Sequence, residues 1–344
     1  MIRTIAIGIV AALGGLLTIA TIAVGALYVV HGGDRSVLPT TEHDPSLPHL
    51  ELDGYRFHAE TFGSSPDPVV IVLHGGPGGD YRYILPLAAL AEDGYRVVFY
   101  DQRGSGLSPR VPTDQLTLER FIADLDSFVD HFSPEEPVRI VGHSWGAMLA
   151  SAYIGRYPDK VDHAVLAEPG FLENGDMERF YAVTGLKNMK PSVGIMAAMT
   201  TAWAESLHVR GPDSQARRDY MMNAFQTTPM KEHPLAGYYP DRRLENAAGE
   251  SWRYGAAASV AVPESGMDAD GKLVDLAAGV EDWKGPALFL SGSENVITGP
   301  AYQRKLMNRF PNAHLVVIEG AGHTMIGEKP EESLEAIREF LAQP

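Results

Sequence analysis

Apolar residues are distributed along this chain in three ways. From Thr4 to Val30, "TIAIGIVAALGGLLTIATIAVGALYVV", they run without a charged residue. Further on, short apolar blocks recur, each ending in loop residues: "PVVIVLHGG", "YRVVFYDQRG", "VRIVGHS", "DHAVLAEP", "PALFLSGS" and "HLVVIEGAGH". Between them lie stretches with apolar residues at helical spacing, such as "TLERFIADLDSFVDHF", where Thr117 is placed to cap the start. "YRFHAETF" is strand-like, the stretch from about Tyr81 to Asp93 reads as helical, and "EESLEAIREFL" reads as a closing amphipathic helix. Apolar strands alternating with helices predict an α/β fold with a mostly parallel sheet covered on both faces. Functional residues are then expected at the carboxyl ends of the strands.

Residues 171–283 break the rhythm. They hold no convincing buried strand, several helical stretches and eight of the twelve methionines. This predicts a helical cap inserted between strands 6 and 7. Methionine is apolar and adaptable, so such residues pack helices and some could line a pocket. The expected organisation is a membrane anchor over residues 1–35, a core in two parts (36–170 and 284–344) and the cap.

About 20 apolar residues span a bilayer, whereas a signal-peptide core has about 7–15. The first run therefore predicts a single-pass transmembrane helix. Arg3 precedes it, which places the amino terminus in the cytoplasm and the catalytic domain outside. The alternative is secretion after cleavage near "AVGA", residues 23–26. Residues 31–48, rich in Gly, Pro, Ser and Thr, read as a tether.

Charge and cysteine content narrow the chemistry. A net charge of −16 argues against a nucleic-acid partner. With no cysteine there is no disulfide, thiolate metal site or cysteine nucleophile.

"GHSWGA", residues 142–147, fits G-x-S-x-G between a strand and a helical stretch, which makes Ser144 the candidate nucleophile. "HGGPGG", residues 74–79, follows a strand and offers free backbone amides. An oxyanion hole in this architecture combines an amide of such a loop with the amide after the nucleophile, here Gly76 and Trp145. His323, in "GAGHTMIGEKPEE" after the last strand, is the candidate base that a serine hydroxyl needs. His74 and His143 flank the site and read as loop-fixing residues.

"HGGPGG", "DQRGSGLS" (101–108), "GHSWGA" and "GAGH", in that order, resemble the α/β-hydrolase superfamily, and the first three resemble its proline iminopeptidase branch. The resemblance covers roughly residues 50–170 and 284–344 and is weak across the cap. It implies removal of an N-terminal proline from peptides, without metal or cofactor. It also implies that Asp101 and Arg103 shape a loop.

The family's acid follows the seventh strand as G-x-x-D, but here that stretch reads Gly292, Ser293, Glu294, Asn295. Glu168 ends the strand beside the nucleophile strand. Strands about 4.8 Å apart bring the ends of strands 6 and 7 within reach of the histidine loop. Its position is similar to that of a glutamate in some haloalkane dehalogenases, although their nucleophile is an aspartate. Glu168 is the favoured acid, with Glu294 and Asn295 as alternatives.

The substrate side is open. Recognition of a terminal amine needs cap carboxylates, and the Trp-Glu element of the resembled branch is reduced to Trp203 and Glu205 in "TAWAESLH". Glu173, Asp176 and Glu178 lie near the start of the cap, and Trp252 and Tyr254 could line the pocket. Three readings follow: a membrane-anchored serine hydrolase of small peptides or amino-acid amides, a carboxylesterase of apolar esters, and a catalytically weak binding protein. None requires a metal or organic cofactor.

Overall fold

A computed structural model of the chain describes residues 21–188, 190, 192–228, 233–243 and 251–343, together with Gly15 and Thr18. Eight strands form one sheet: β1 (His49–Leu52), β2 (Tyr55–Phe62), β3 (Val69–Leu73), β4 (Arg96–Tyr100), β5 (Val138–His143), β6 (Val161–Ala167), β7 (Ala287–Gly292) and β8 (Ala313–Ile318). Their order is β1-β2-β4-β3-β5-β6-β7-β8. β1 and β2 pair antiparallel, and all pairings from β4 through β8 are parallel. The sequence reading missed β1, "HLEL", a four-residue edge strand with a half-exposed pattern.

The helices are α1 (residues 21–30), α2 (Leu118–Phe132), α3 (Trp145–Arg156), α4 (Asn174–Thr184), α5 (Val193–Ser206), α6 (Ala216–Thr227), α7 (Ala256–Ser265), α8 (Pro300–Met307), α9 (Met325–Glu328) and α10 (Pro330–Leu341). Arg82–Asp93 forms a 3-10 helix with Pro86 inside it. α4 to α7 lie between β6 and β7 in the chain.

The sheet is buried on both faces, which is why its strands read as unbroken apolar runs. Ile71, Leu73, Val98, Ile140 and Phe289 pack on one face with Phe121, Leu125 and Phe128 of α2 and Leu149 of α3. Their chain neighbours Val70, Val72, Phe99, Val141 and Leu290 pack on the other with Ile84 and Leu87 of the 3-10 helix and Ile337 and Phe340 of α10. Alternate residues of one strand thus feed two cores. All five residues of β3 are buried, and each such side chain contributes about 1.5–3 kcal/mol.

The expected transmembrane anchor is corrected. Among the described residues no helix is long and apolar enough to cross a membrane. Of the run from Thr4 to Val30, the described part is Gly15, Thr18 and residues 21–30, and the rest lies outside the described residues. The continuously described stretch of helix over 21–30 covers about 15 Å at 1.5 Å per residue, half of a bilayer's hydrocarbon core. Its end is held by the protein itself: His208 bonds the Tyr28 carbonyl at 2.8 Å, and the two rings lie 4.0 Å apart. The single-pass membrane localisation built on that run falls with it.

Residues 31–48 are not a free tether either. Arg35 pairs with Glu205 at 2.9 Å. The Leu38 carbonyl accepts from Arg253 at 3.0 Å, and the Thr41 amide donates to the Leu107 carbonyl at 2.9 Å. Thr40 and Thr41 are fully buried, so this stretch is strapped across the core.

Candidate active site

The candidate residues leave the sheet at one edge. Ser144 follows β5, Glu168 follows β6, Asn295 lies just beyond β7, and His323 follows β8. Backbone bonds tie these strand ends together. Ser144 N–H donates to the Ala167 carbonyl at 2.8 Å, and Glu168 N–H donates to the Leu290 carbonyl at 3.0 Å.

Ser144 occupies a sharp strand-to-helix turn with φ 53° and ψ −115°. A non-glycine residue in such a conformation costs of order 1–3 kcal/mol and persists where its surroundings dictate it. Here the turn is pressed against the neighbouring strand: a Cβ on Gly146 would lie 2.1 Å from the Leu73 carbonyl oxygen. Trp145 opens α3, so its N–H has no partner in the helix. Among the described residues, neither the Gly76 nor the Trp145 amide donates to another backbone group. Both residues border Ser144 in one cavity.

Glu168 is the second non-glycine residue of the site with positive φ, at 47°, and its side chain is completely buried. Its Oε2 lies 2.6 Å from His323 Nδ1. The same oxygen accepts from the Asn295 side-chain amide. Oε1 accepts from Ser291 Oγ at 2.7 Å and from Gly292 N–H at 2.9 Å. Four donors on two oxygens fit an ionised carboxylate, which only accepts.

Asn295 is 3.4 Å from His323 Nδ1, and its Oδ1 is engaged by the Ile297 and Thr298 amides at 2.9 and 3.1 Å. It braces Glu168 and caps its own loop. Glu294 is exposed, and its side chain bonds Ser293 beside it.

Burial governs the ionisation of the pair. It pushes the Glu168 carboxyl up, opposed by the Ser291, Asn295 and Gly292 donors, and it pushes the His323 imidazole down to about 3. His323 is thereby held neutral. With its Nδ1 proton directed at Glu168, its Nε2 lone pair is free to receive a proton.

Tyr238, which carries no recognisable motif, and the loop residues His74, Asp101 and Arg103 complete the setting. The Tyr238 ring stacks on His323 at 3.9 Å and 12°, and its carbonyl accepts the His323 N–H at 2.6 Å. His74 donates from Nδ1 to the Gly75 carbonyl at 2.8 Å and accepts the Gln102 amide at 2.9 Å. Asp101 accepts the Leu107 amide at 2.7 Å and so closes the 101–108 loop. Arg103 pairs with Asp124 of α2 through two bonds of 2.8 and 2.7 Å. Tyr238 could not be found in advance, since "GYYP" carries no signal that it meets a histidine 85 positions later.

Two cavities meet at Ser144. One, of about 330 Å³, is lined by Trp145, Met148, Phe171, Phe180, Met222 and Phe225 among others, and no charged side chain lines it among the described residues. The other, of about 300 Å³, borders His323, Tyr83, Asn223, Thr227 and Tyr239. Asp80 is the one carboxylate lining it among the described residues. It accepts from the Arg82, Trp252 and Arg253 amides at 3.1, 2.7 and 3.3 Å and from Ser251. Burial first, and then the nearby Asp101 charge, raise its carboxyl to about 6.

Tyr254 lines both cavities, whereas Trp252 packs against His58 and Tyr81 instead. The carboxylates singled out for amine binding line neither cavity. Glu205 pairs with Arg35 and Tyr220, Asp176 with Lys305, Glu173 with Arg309, and Glu178 with Asn174. Trp203 is part-exposed on α5. No group of three or more His, Asp or Glu side chains is placed to hold a metal ion among the described residues.

Comparison with known proteins agrees with this architecture. The profile of the alpha/beta hydrolase fold family matches residues 68–330. A proline iminopeptidase of Lactobacillus helveticus is 25% identical over 296 residues, covering 84% of this chain and 95% of that protein. An sn-1-specific diacylglycerol lipase ABHD11 of Mus musculus is 24% identical over 281 residues, covering 81% and 83%. The crystal structure of a Mycobacterium smegmatis proline iminopeptidase superposes with a TM-score of 0.54 at 19% identity, over 85% of this chain and 96% of that one. With its parallel sheet and with the family profile spanning most of its length, this chain belongs to the α/β-hydrolase fold family as a hydrolase similar to the proline iminopeptidases.

Proposed function

We propose that the chain is a serine hydrolase that works through an acyl-enzyme on small substrates with an uncharged, apolar acyl group, esters foremost. The observation that carries this reading is the aromatic- and methionine-lined cavity, free of charged side chains among the described residues, that opens beside Ser144 and Trp145. An apolar acyl chain entering it leaves water at no desolvation cost to a buried charge.

In the proposed reaction Ser144 Oγ attacks the carbonyl carbon while His323 Nε2 takes its proton. The Gly76 and Trp145 amides hold the oxyanion, aided by the amino-terminal end of α3. Glu168 stabilises the imidazolium by charge from Nδ1, where Asn295 could offer only a hydrogen bond. His323 then protonates the leaving group, which departs through the cavity that borders it, and water releases the acyl group by the reverse route. Residues 171–283 act as a cap, since α4 and α6 supply Phe180, Met222 and Phe225 to the acyl cavity. The name of the mouse relative, a diacylglycerol lipase, is consistent with ester chemistry.

The second reading is amide hydrolysis at a terminal proline, supported by the proline iminopeptidases among the relatives. Against it stands the lack, among the described residues, of a free carboxylate in either cavity, since Asp80 is held by three amides and a hydroxyl. Labelling with a fluorophosphonate probe, followed by turnover of short nitrophenyl esters against proline naphthylamide, tests both. Ser144-dependent labelling with faster ester turnover is expected. Faster turnover of the naphthylamide would favour the second reading, and absence of labelling would sink both.

A further inference from the structure

Three segments must keep their places around Ser144 for this reaction: the 74–79 loop, the nucleophile turn and the His323 loop. One chain of hydrogen bonds joins them. Gly75 N–H donates to Tyr83 Oη at 2.8 Å. Tyr83 Oη is bonded to His143 Nδ1, and His143 Nε2 lies 2.8 Å from the His323 carbonyl oxygen. The ends dictate the directions between them, because an amide N–H only donates and a carbonyl oxygen only accepts.

His143 is buried, and burial holds its imidazole well below the usual value, so it carries a single proton. That proton sits on Nε2 and is donated to His323 O. Nδ1 is left as an acceptor for Tyr83 O–H, and the Tyr83 lone pairs accept Gly75 N–H. The crossing is tight. A Cβ on Gly75 would lie 2.9 Å from Tyr83 Oη, 3.0 Å from His143 Nδ1 and 3.2 Å from Ser144 Cβ.

We propose that Tyr83 and His143 are positioning residues that hold the Gly76 amide and the His323 imidazole in register across Ser144, an inference that rests on the serine-hydrolase reading. They act through the loops they join. A misplacement of about 1 Å in such a site can cost about 10²-fold in rate.

Tyr83→Phe removes the hydroxyl and keeps the ring that meets His143 edge-on at 5.2 Å. Its kcat on a short nitrophenyl ester should fall by about 10- to 100-fold with KM within about twofold. Fluorophosphonate labelling should slow by the same factor. His143→Gln retains a donor toward His323 O and should lie within about tenfold of wild type, whereas His143→Ala should lose about 100-fold or more. Circular dichroism and thermal melting establish that each variant folds, and Tyr83→Phe decides the matter should His143→Ala not fold. A folded, labelled Tyr83→Phe variant with wild-type kcat, or one that loses only in KM, overturns this proposal alone. A wild-type chain that takes no label overturns the hydrolase reading and this proposal together.

Discussion

The Asn295 side-chain amide donates to Oε2 of Glu168, the oxygen that meets His323 Nδ1 at 2.6 Å. One carboxylate and one amide thus share the space beside the histidine. Two carboxylates there would repel, and one would have to take up a proton. With Glu168 reaching in from β6, a neutral donor is the side chain that the loop after β7 can offer at no electrostatic cost.

Removing the charge while keeping the shape tests this arrangement. Glu168→Gln should lower kcat by about 10³–10⁴-fold, because imidazolium is no longer stabilised by charge. Glu294→Gln should stay within about twofold of wild type, since its side chain is exposed. Steady-state turnover of a nitrophenyl ester measures both, and a reversed outcome would refute Glu168 as the acid.

The niche should also accept the acid from the other side. Asn295→Asp alone sets two carboxylates against each other and should reduce kcat. Combined with Glu168→Gln it restores one negative charge near His323 Nδ1, now 3.4 Å from residue 295. The double variant should recover about tenfold or more over Glu168→Gln alone. Equal rates for the two would mean that the strand of origin, and not the charge, decides activity.

The pH dependence follows from burial. His323 is pushed down to about 3, so the acid limb of kcat/KM should lie below the ordinary histidine value of about 6.5. A limb at or above 6.5 would contradict it. Stability carries the same sign: below about pH 6.5 the unfolded chain protonates histidines that the folded chain keeps neutral. Stability should therefore decline as pH falls from there toward about 3, by about 1.4 kcal/mol per pH unit for each such histidine. His74, His143 and His233, also pushed down by burial, add to the decline. Glu168, Asp80 and Asp124, raised by burial, oppose it by favouring the folded state as pH falls. Melting midpoints between pH 7 and 5 read the balance of four histidines against three carboxyls, and a decline toward pH 5 is expected because the histidines begin to act at higher pH.

The apolar cavity beside Ser144 should show in acyl-chain preference. Each added methylene buried there is worth about 0.8 kcal/mol, or about fourfold in kcat/KM, until the space of about 330 Å³ is filled. A series of nitrophenyl esters from acetate upward checks this. A flat series, or a preference for acyl groups with a free ammonium, would argue for a different occupant.

Local chemistry made much of this protein legible along the chain. Apolar blocks of strand length, glycines where a turn is pressed against a neighbouring strand, and a histidine in the loop after the last strand are short-range signals. They sufficed to locate Ser144, His323 and the amides of Gly76 and Trp145 in one place. What escaped was non-local. Tyr238 and Tyr83 carry no motif, and the histidines they meet, His323 and His143, lie far away in the chain. The uncharged amino-terminal run looked long enough to span a bilayer, yet its described helix stops at 30 and leans on His208. Hydropathy registers composition, and says nothing of which neighbour will claim the end of a helix.

The sequence by itself determined the alternation of apolar strands with helices and the loops that carry the candidate nucleophile and base, because those rest on contacts within a few residues. The tertiary structure decided among Glu168, Glu294 and Asn295 for the place beside His323, and it decided which carboxylates between β6 and β7 are spent on Arg35, Lys305 and Arg309. Glu168 and His323 are 155 positions apart, and their 2.6 Å contact exists because β6, β7 and β8 lie side by side in the sheet. Burial then sets the ionisation of both groups, and burial belongs to the folded chain.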